Sequence, residues 1–511
     1  MGRSNGIWHS RRKLAAALIS VLLFILAIDY RRTRITRTEE EQRKKDQSSD
    51  FLDDIDYALD TMRYMHDMQK GKAEIRHVVE KEHPVVEYYW WCRISRFQSE
   101  STTEWTENDG LYLYSAYLDT RANSLYPRNS AIQLLAMSFR SLRQRIYCNI
   151  FDDSSYAVVE GYTREIWQRG WDPRDHFYIP NLITCPIPTR LQRSRKLFVS
   201  ISTKPCRAQS IALRVRVAAP IDKKKAVAVC VKGMDFQEDI SLRLVEWLEA
   251  QHLLGASAVT IYKYSVSKNV EKVLDHYERL GKLVQIPLTL PGHSPNIPLV
   301  RSEYIARNRQ QKRRHELIPY NDCLYRCYQF VKNLDCDTFR HITTHRYILI
   351  LDIDELVIPL KHTTYTELID TIEHDTPSHR ISSLSFSNVF KFPNKSPEPS
   401  SPPQLYVLRN ALRSRKISDP RSYGKSLTNT ETVATVFNHF ALHRLSANVS
   451  GTVYVPETLA VKLHYKSNCP VESRKECAQL QTDTVIDHSL DRFAEELTRR
   501  VRRTVDEVQL L

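Results

Sequence analysis

Residues 346–360, RYILILDIDELVIPL, form a strongly apolar strand that runs straight into three carboxylates, Asp352, Asp354 and Glu355. In an extended segment alternate side chains face the same way, so Asp352 and Asp354 are expected to converge while Ile353 points into the core. Two hard oxygen ligands at the carboxyl end of a central strand suit a divalent cation that holds phosphate oxygens. The competing reading is a polar strand end entering a turn, since Asp-x-Asp alone is common.

The surroundings favour an α/β fold. AVAVCVK at 226–232 reads as a buried strand, and 238–254 as a helix with Leu242, Val245 and Leu248 on one face. Strands at 258–264 and 282–287 alternate with helices at 270–280 and 320–334. Such alternation predicts a mainly parallel sheet with ligands at the carboxyl ends of its strands. Upstream, from about residue 85 to 220, short aromatic and β-branched runs (VVEYYWWC, LYLYSAYL, RIYCNIF, IALRVRV) predict a smaller antiparallel β domain. Trp90 and Trp91 sit in one such run, but neighbours on a strand face opposite ways, so one of the two belongs to the core.

Residues 14–28, LAAALISVLLFILAI, carry no charge and lie between Arg11, Arg12, Lys13 and Arg31, Arg32. As a helix this run is roughly 22 Å long, short for a bilayer core of about 30 Å, yet flanking cations can snorkel. A cleaved signal peptide is the rival, but no small-x-small cleavage pattern follows. The expectation is a signal-anchor transmembrane helix at 14–30, after a cytoplasmic tail at 1–13 and before a stem at 31–84. A β-rich accessory domain at 85–222, a catalytic domain at 223–480 and a helical tail at 481–511 complete the order.

Cations flank the apolar run on both sides, so the positive-inside rule does not orient it. Asn448-Val449-Ser450 and Asn394-Lys395-Ser396 are N-glycosylation sequons, the second weakened by Pro397. Ten cysteines allow disulfides in an oxidising lumen, and Cys469 and Cys477 are near enough for a short bridge. These features place the bulk of the chain in the lumen.

Transfer of a sugar from a nucleoside diphosphate leaves a diphosphate with growing negative charge, which Mn²⁺ or Mg²⁺ stabilises as a Lewis acid. Two carboxylates are too few ligands, so a late histidine is expected to join them. The candidates are His439 in VFNHFAL and His464 in VKLHYKS; either one taken alone reads first as a core histidine.

At this point the chain resembles glycosyltransferase family 92. The blocks that carry the likeness run in order: EDISLRLVEWLEAQHLLGASAVTIYKYSVS, YNDCLYR, YILILDIDELVIP, GKSLTNTETV and LHYK. LYSAYLDTR and ITCPIP extend it upstream. The resemblance implies a single-pass type II Golgi membrane protein with a nucleotide-sugar-binding GT-A fold. It also implies inverting transfer of galactose from UDP-galactose to a glycan acceptor, with Mn²⁺. Asp352 and Asp354 match the family's acidic metal motif, and Glu355 its fixed fourth member. Glu246, Asn321, Asp322 and Arg326 fall in matching blocks near the expected donor pocket, where Arg326 has the fork to clamp a diphosphate. Lys425 is a further candidate phosphate contact. Inversion needs a general base, and Glu398, Asp419 and Glu431 are open choices that no pattern separates.

Two other classes compete with this reading. A catalytically silent Golgi lectin or scaffold with the same fold would be favoured by an altered acidic motif, but Asp352 and Asp354 are both present. A nucleic-acid binder is suggested by the net charge of +14 and by Lys312-Arg313-Arg314. The basic residues are scattered without an interleaved aromatic platform, which disfavours that role.

Overall fold

The computed structural model describes residues 82–510 apart from 89–91, 93–98, 102–103, 195, 208, 218–223, 327–343, 394–404, 420, 422–423 and 467–473. The chain divides into two compact units, residues 1–74 and 75–511, and every described residue belongs to the second. The tail, the anchor and nearly all of the stem expected from the sequence lie outside the described residues, as do Trp90 and Trp91.

The first nine strands are β1 (Ser99–Glu100), β2 (Thr106–Asn108), β3 (Leu111–Asp119), β4 (Ala131–Phe139), β5 (Ile146–Phe151), β6 (Tyr156–Glu165), β7 (Tyr178–Pro186), β8 (Phe198–Ser202) and β9 (Ile211–Arg214). They form one sheet in the order β1-β9-β8-β5-β6-β7-β4-β3-β2. All its pairings are antiparallel except β1 with β9. The sheet curls almost shut: Arg216, just past β9, bridges to Tyr117 of β3, with Leu118 N–H donating to Arg216 O at 3.0 Å. β4, AIQLLAMSF, explains why these strands lack polar alternation. Leu134 and Ala136 face the interior of the curl, while Leu135 and Met137 pack outward against the rest of the molecule, so both faces are dry. A disulfide, Cys148–Cys185, crosses that interior, and a Cβ at Gly161 would meet Cys148 Sγ at 2.8 Å.

The remainder is built from β10 (Lys225–Asp235), α1 (Ser241–Leu253), β11 (Ala258–Ser265), α2 (Lys268–Arg279), β12 (Leu283–Pro287), α3 (Pro298–Arg307), α4 (Arg309–Tyr325), β13 (His345–Ile350), β14 (Glu355–Pro359) and α5 (Tyr365–Asp375). There follow β15 (Ser383–Phe386), β16 (Asn388–Lys391), α6 (Tyr406–Arg409), β17 (Leu412–Ser414), β18 (Lys425–Asn429), β19 (Val433–Val436), β20 (Ala441–Arg444), β21 (Thr452–Tyr454), β22 (Ala460–Tyr465), α7 (Arg474–Thr482), β23 (Thr484–Ile486) and α8 (Ala494–Val508). A seven-stranded sheet runs β12-β11-β10-β13-β18-β15-β21, and a five-stranded one runs β14-β22-β16-β17-β23.

This corrects the expected sheets in two respects. The antiparallel sheet is the larger element rather than a smaller companion. The sheet that carries the apolar strand is mixed rather than mainly parallel: β12, β11, β10 and β13 run parallel, whereas β18 runs antiparallel to both β13 and β15. The parallel half is made by helical crossovers, whereas the other half is built of short strands, with β15 antiparallel to β18 and parallel to β21. Among the described residues no helix is long and apolar enough to cross a membrane, and residues 14–30 lie outside them. The helix expected at 320–334 begins earlier, at Arg309. The expected tail folds back, with Leu497, Val501 and Val505 of α8 in the same core as Leu244, Val245 and Leu248 of α1.

Candidate active site

Three strands converge here. β10 and β13 are parallel neighbours with Cys230 beside Ile350, so Lys232, still within β10, lies at the same end as Asp352, which is just past β13. β18 runs antiparallel along β13 with Leu427 beside Leu349, which brings its first residue, Lys425, to that end too. Past Leu351 the chain makes a turn over residues 352–355, closed by Glu355 N–H donating to Asp352 O at 3.0 Å. It re-enters as β14 of the second sheet, where Glu355 pairs with His464 of β22. Asp352 and Asp354 are therefore placed by a turn between two sheets, not by an extended strand end.

The charges around that turn interlock. Lys232 Nζ lies 3.2 Å from Asp352 Oδ1 and 3.1 Å from Glu316 Oε1. Lys425 Nζ lies 3.3 Å from Asp352 Oδ2 and 3.4 Å from Glu355 Oε2, and donates to Asn438 Oδ1 at 2.7 Å. Lys462 Nζ is 2.7 Å from Glu355 Oε1. Asp354 Oδ2 is 3.4 Å from His464 Nε2 and 3.5 Å from Lys466 Nζ. Four carboxylates (Asp352, Asp354, Glu355, Glu316) thus face four ammonium groups (Lys232, Lys425, Lys462, Lys466), and the cluster is close to neutral.

Burial by itself would raise all three acids of the turn. For Asp352 the ammonium groups of Lys232 and Lys425 outweigh it and hold the carboxyl well below its usual range. For Asp354, burial is overcome by the hydrogen bond to His464 and by Lys466. For Glu355, burial is overcome by Lys425 and Lys462, which bring it to about 2. All three are carboxylates at neutral pH. His464 is pushed down, first by burial and then by Lys462, so its imidazole is neutral there. Its ring stacks on Phe390 with centroids 5.6 Å apart.

Among the described residues no three His, Cys, Asp or Glu side chains are grouped as a metal site. The chain does offer a carboxylate beside a neutral imidazole, Asp354 and His464, one turn residue away from Asp352. That donor set fits a divalent cation whose other ligands come from a diphosphate and water, because a nitrogen ligand must be deprotonated and a hard cation prefers carboxylate oxygen.

Of the other residues singled out by sequence, the structure brings Lys425 and His464 to the turn. His439 lies beside it with its ring nitrogens turned elsewhere: Nδ1 is 2.6 Å from Gly424 O, and Nε2 is 3.3 Å from the Asn438 amide. Burial, then Lys425, pushes His439 down to about 3. Glu246 is buried in α1 and accepts the N–H groups of Val407 and Leu408 at 2.8 and 3.2 Å, so it caps α6. Asn321 binds the β19 backbone, donating to Val436 O and accepting from Val436 N–H at 2.9 and 2.8 Å. Asp322 is fully buried and accepts Ser115, Tyr117 and Tyr262 hydroxyls at 2.6–2.7 Å. Arg326 sits 2.6 Å from that same carboxylate. Asp419 is exposed and accepts the Arg421 N–H, Glu431 pairs with Lys224, and Glu398 lies outside the described residues.

Sequence reasoning missed Lys232, Glu316, Asn438, Lys462 and Lys466. For two of them a signal was present: Lys462, His464 and Lys466 alternate along VKLHYK and so share one face of β22 and its extension.

A comparison with curated proteins gives no match. The sequence model of glycosyltransferase family 92 matches residues 225–501, more than half of the chain. The match opens at the first residue of β10 and closes within α8, so it contains every member of the acid–lysine cluster, and the chain belongs to glycosyltransferase family 92.

Proposed function

We propose that the chain transfers a hexose, galactose by the family resemblance, from a UDP-sugar to a glycan hydroxyl with inversion, and that it works in the Golgi lumen. The observation that carries this reading is the balanced cluster around the turn at 352–355. A neutral site gains little from a bare divalent cation or from a bare diphosphate, because each would leave a net charge in a partly buried setting. Taken up together, the two offset one another.

Asp352, Asp354 and His464 would hold Mn²⁺ or Mg²⁺, which supplies Lewis-acid stabilisation of the leaving diphosphate. Lys425 and Lys232 are held by Asp352, Glu355 and Glu316 with protons in place, so both can donate to phosphate oxygens without first being charged. Glu355, paired to Lys462 and Lys425, fixes the turn rather than meeting substrate. The disulfides Cys92–Cys206, Cys148–Cys185 and Cys230–Cys323 suit an oxidising compartment.

The test uses purified chain, a panel of UDP-sugars with and without Mn²⁺, and a glycan array, with the anomeric configuration of any product read by NMR. Metal-dependent formation of a β-galactoside is expected. An α-linked product would overturn inversion, preference for another donor would overturn galactose, and turnover in excess chelator would overturn the metal.

A further inference from the structure

Asn448-Val449-Ser450 occupies the turn between β20 and β21. Asn448 and Ser450 are exposed while Val449 between them is buried. The backbone of the turn is tied down, with Asn448 N–H donating to Ser446 Oγ at 3.3 Å and the Arg444 guanidinium donating to Val449 O. Among the described residues the side-chain amide of Asn448 makes no hydrogen bond. The turn leads directly into β21, the edge strand of the seven-stranded sheet, whose Tyr454 is 39% exposed. An edge strand offers unpaired peptide groups to any second chain, and natural sheets cover or charge such edges. β21, TVY, carries no charge of its own.

We infer that Asn448 carries an N-linked glycan and that this glycan covers the β21 edge. The inference rests on the lumenal placement proposed above. In the transfer, Asn448 Nδ2 bonds to the anomeric carbon of an oligosaccharide borne on a lipid diphosphate. The bond from that carbon to the diphosphate oxygen breaks, the amide gives up one proton, and the lipid diphosphate leaves.

The fold also dates the event. In the folded chain the Ser450 hydroxyl donates to Arg380 O, and the Ser450 N–H donates to the same oxygen at 2.7 Å. Arg380 lies just ahead of β15, the strand that pairs with β21. The hydroxyl that the acceptor sequence needs is thus taken up once β15 and β21 pair, so the glycan is added before that pairing.

The full chain is expressed in animal cells in an Asn394→Gln background, which removes the second sequon. A mobility shift on enzymatic deglycosylation is expected, and Asn448→Gln should abolish it. Folded chain made without glycosylation should remain unmodified when offered microsomes, and in sedimentation it should self-associate at concentrations where the glycosylated form is monomeric. No shift, with Cys148 and Cys185 protected from alkylation, would overturn the site while leaving the lumenal placement intact. No shift with both cysteines freely alkylated would overturn both. Modification of the folded chain would overturn the timing, and equal sedimentation of the two forms would overturn the shielding role.

Discussion

Glu355 Oε1 lies 2.7 Å from Lys462 Nζ, and both side chains are almost fully buried, at 2% and 1% exposure. The second carboxylate oxygen faces Lys425. Removing one partner of a buried pair leaves an uncompensated charge, whereas removing both with apolar groups of similar size does not. Glu355→Ala is expected to cost about 3–5 kcal/mol, read by denaturant unfolding. Lys462→Met placed on Glu355→Leu should recover part of that loss. An additive double variant would show that the two side chains act independently.

Asp352→Ala and Asp354→Ala should each lower metal-dependent turnover of the UDP-sugar by on the order of a hundredfold or more, since a Lewis-acid contact stabilises the transition state by several kcal/mol. Near-ultraviolet circular dichroism should be unchanged for Asp354→Ala. Wild-type turnover in the double variant would remove the turn from the chemistry.

Asp322 links the two halves of the molecule: Ser115 and Tyr117 come from β3, Tyr262 from β11 and Arg326 from the end of α4. Burial would raise its carboxyl, but Arg326 and Arg216, helped by the hydroxyls, bring it down to about 2. A depressed acid contributes stability that is present above its unfolded value, near 4, and is lost as pH falls toward the folded one. The contribution is about 2 kcal/mol. The stability difference between wild type and Asp322→Asn should therefore be level above about pH 5 and shrink between about pH 4 and pH 2. A pH-independent difference in urea titrations would contradict this.

Cys148–Cys185 closes a loop of sequence separation 37 inside the curled sheet. In the chain-entropy account such a cross-link stabilises by about 3–4 kcal/mol. A Cys148→Ala/Cys185→Ala variant should show a correspondingly lower unfolding free energy. A loss below about 1 kcal/mol would mean that the interior packing alone holds β5 to β7.

What was legible in the sequence was the part where burial writes a simple pattern. Tyr347 to Leu351, the strand at 226–232 and the stripe Leu242, Val245, Leu248 are apolar at strand or helix period, and each became the element expected. The turn at 352–355 was not legible, because it contains neither Gly nor Pro. Its direction is set by the Asp352–Glu355 backbone bond and by the pairing of β14 with β22, a partner roughly a hundred residues away. The mixed half of the sheet was hidden for a related reason. β18 is KSLTN and β15 is SLSF, buried strands made largely of polar residues that read as loop. Lys425 and Lys462 are buried, and lysine is so seldom buried without a partner that a single sequence gives no cause to place them inside. Glu246 and Asp322 lay in the right blocks, but a block says nothing of which way a side chain turns.

The outward face of the curled sheet and one face of the parallel strands share a single core. Tyr114, Tyr117, Leu135 and Met137 from the first pack with Ala228, Cys230, Tyr262 and Ile348 from the second, and with Leu317 of α4. A boundary drawn where the match to the family model begins, at residue 225, therefore divides two sheets whose shared core is buried. The two sheets are one packing unit: a substitution at Leu135 or Met137 of β4 is felt beneath Ile348 of β13, and replacing the antiparallel sheet would mean rebuilding the floor under the strands that carry the acid–lysine cluster.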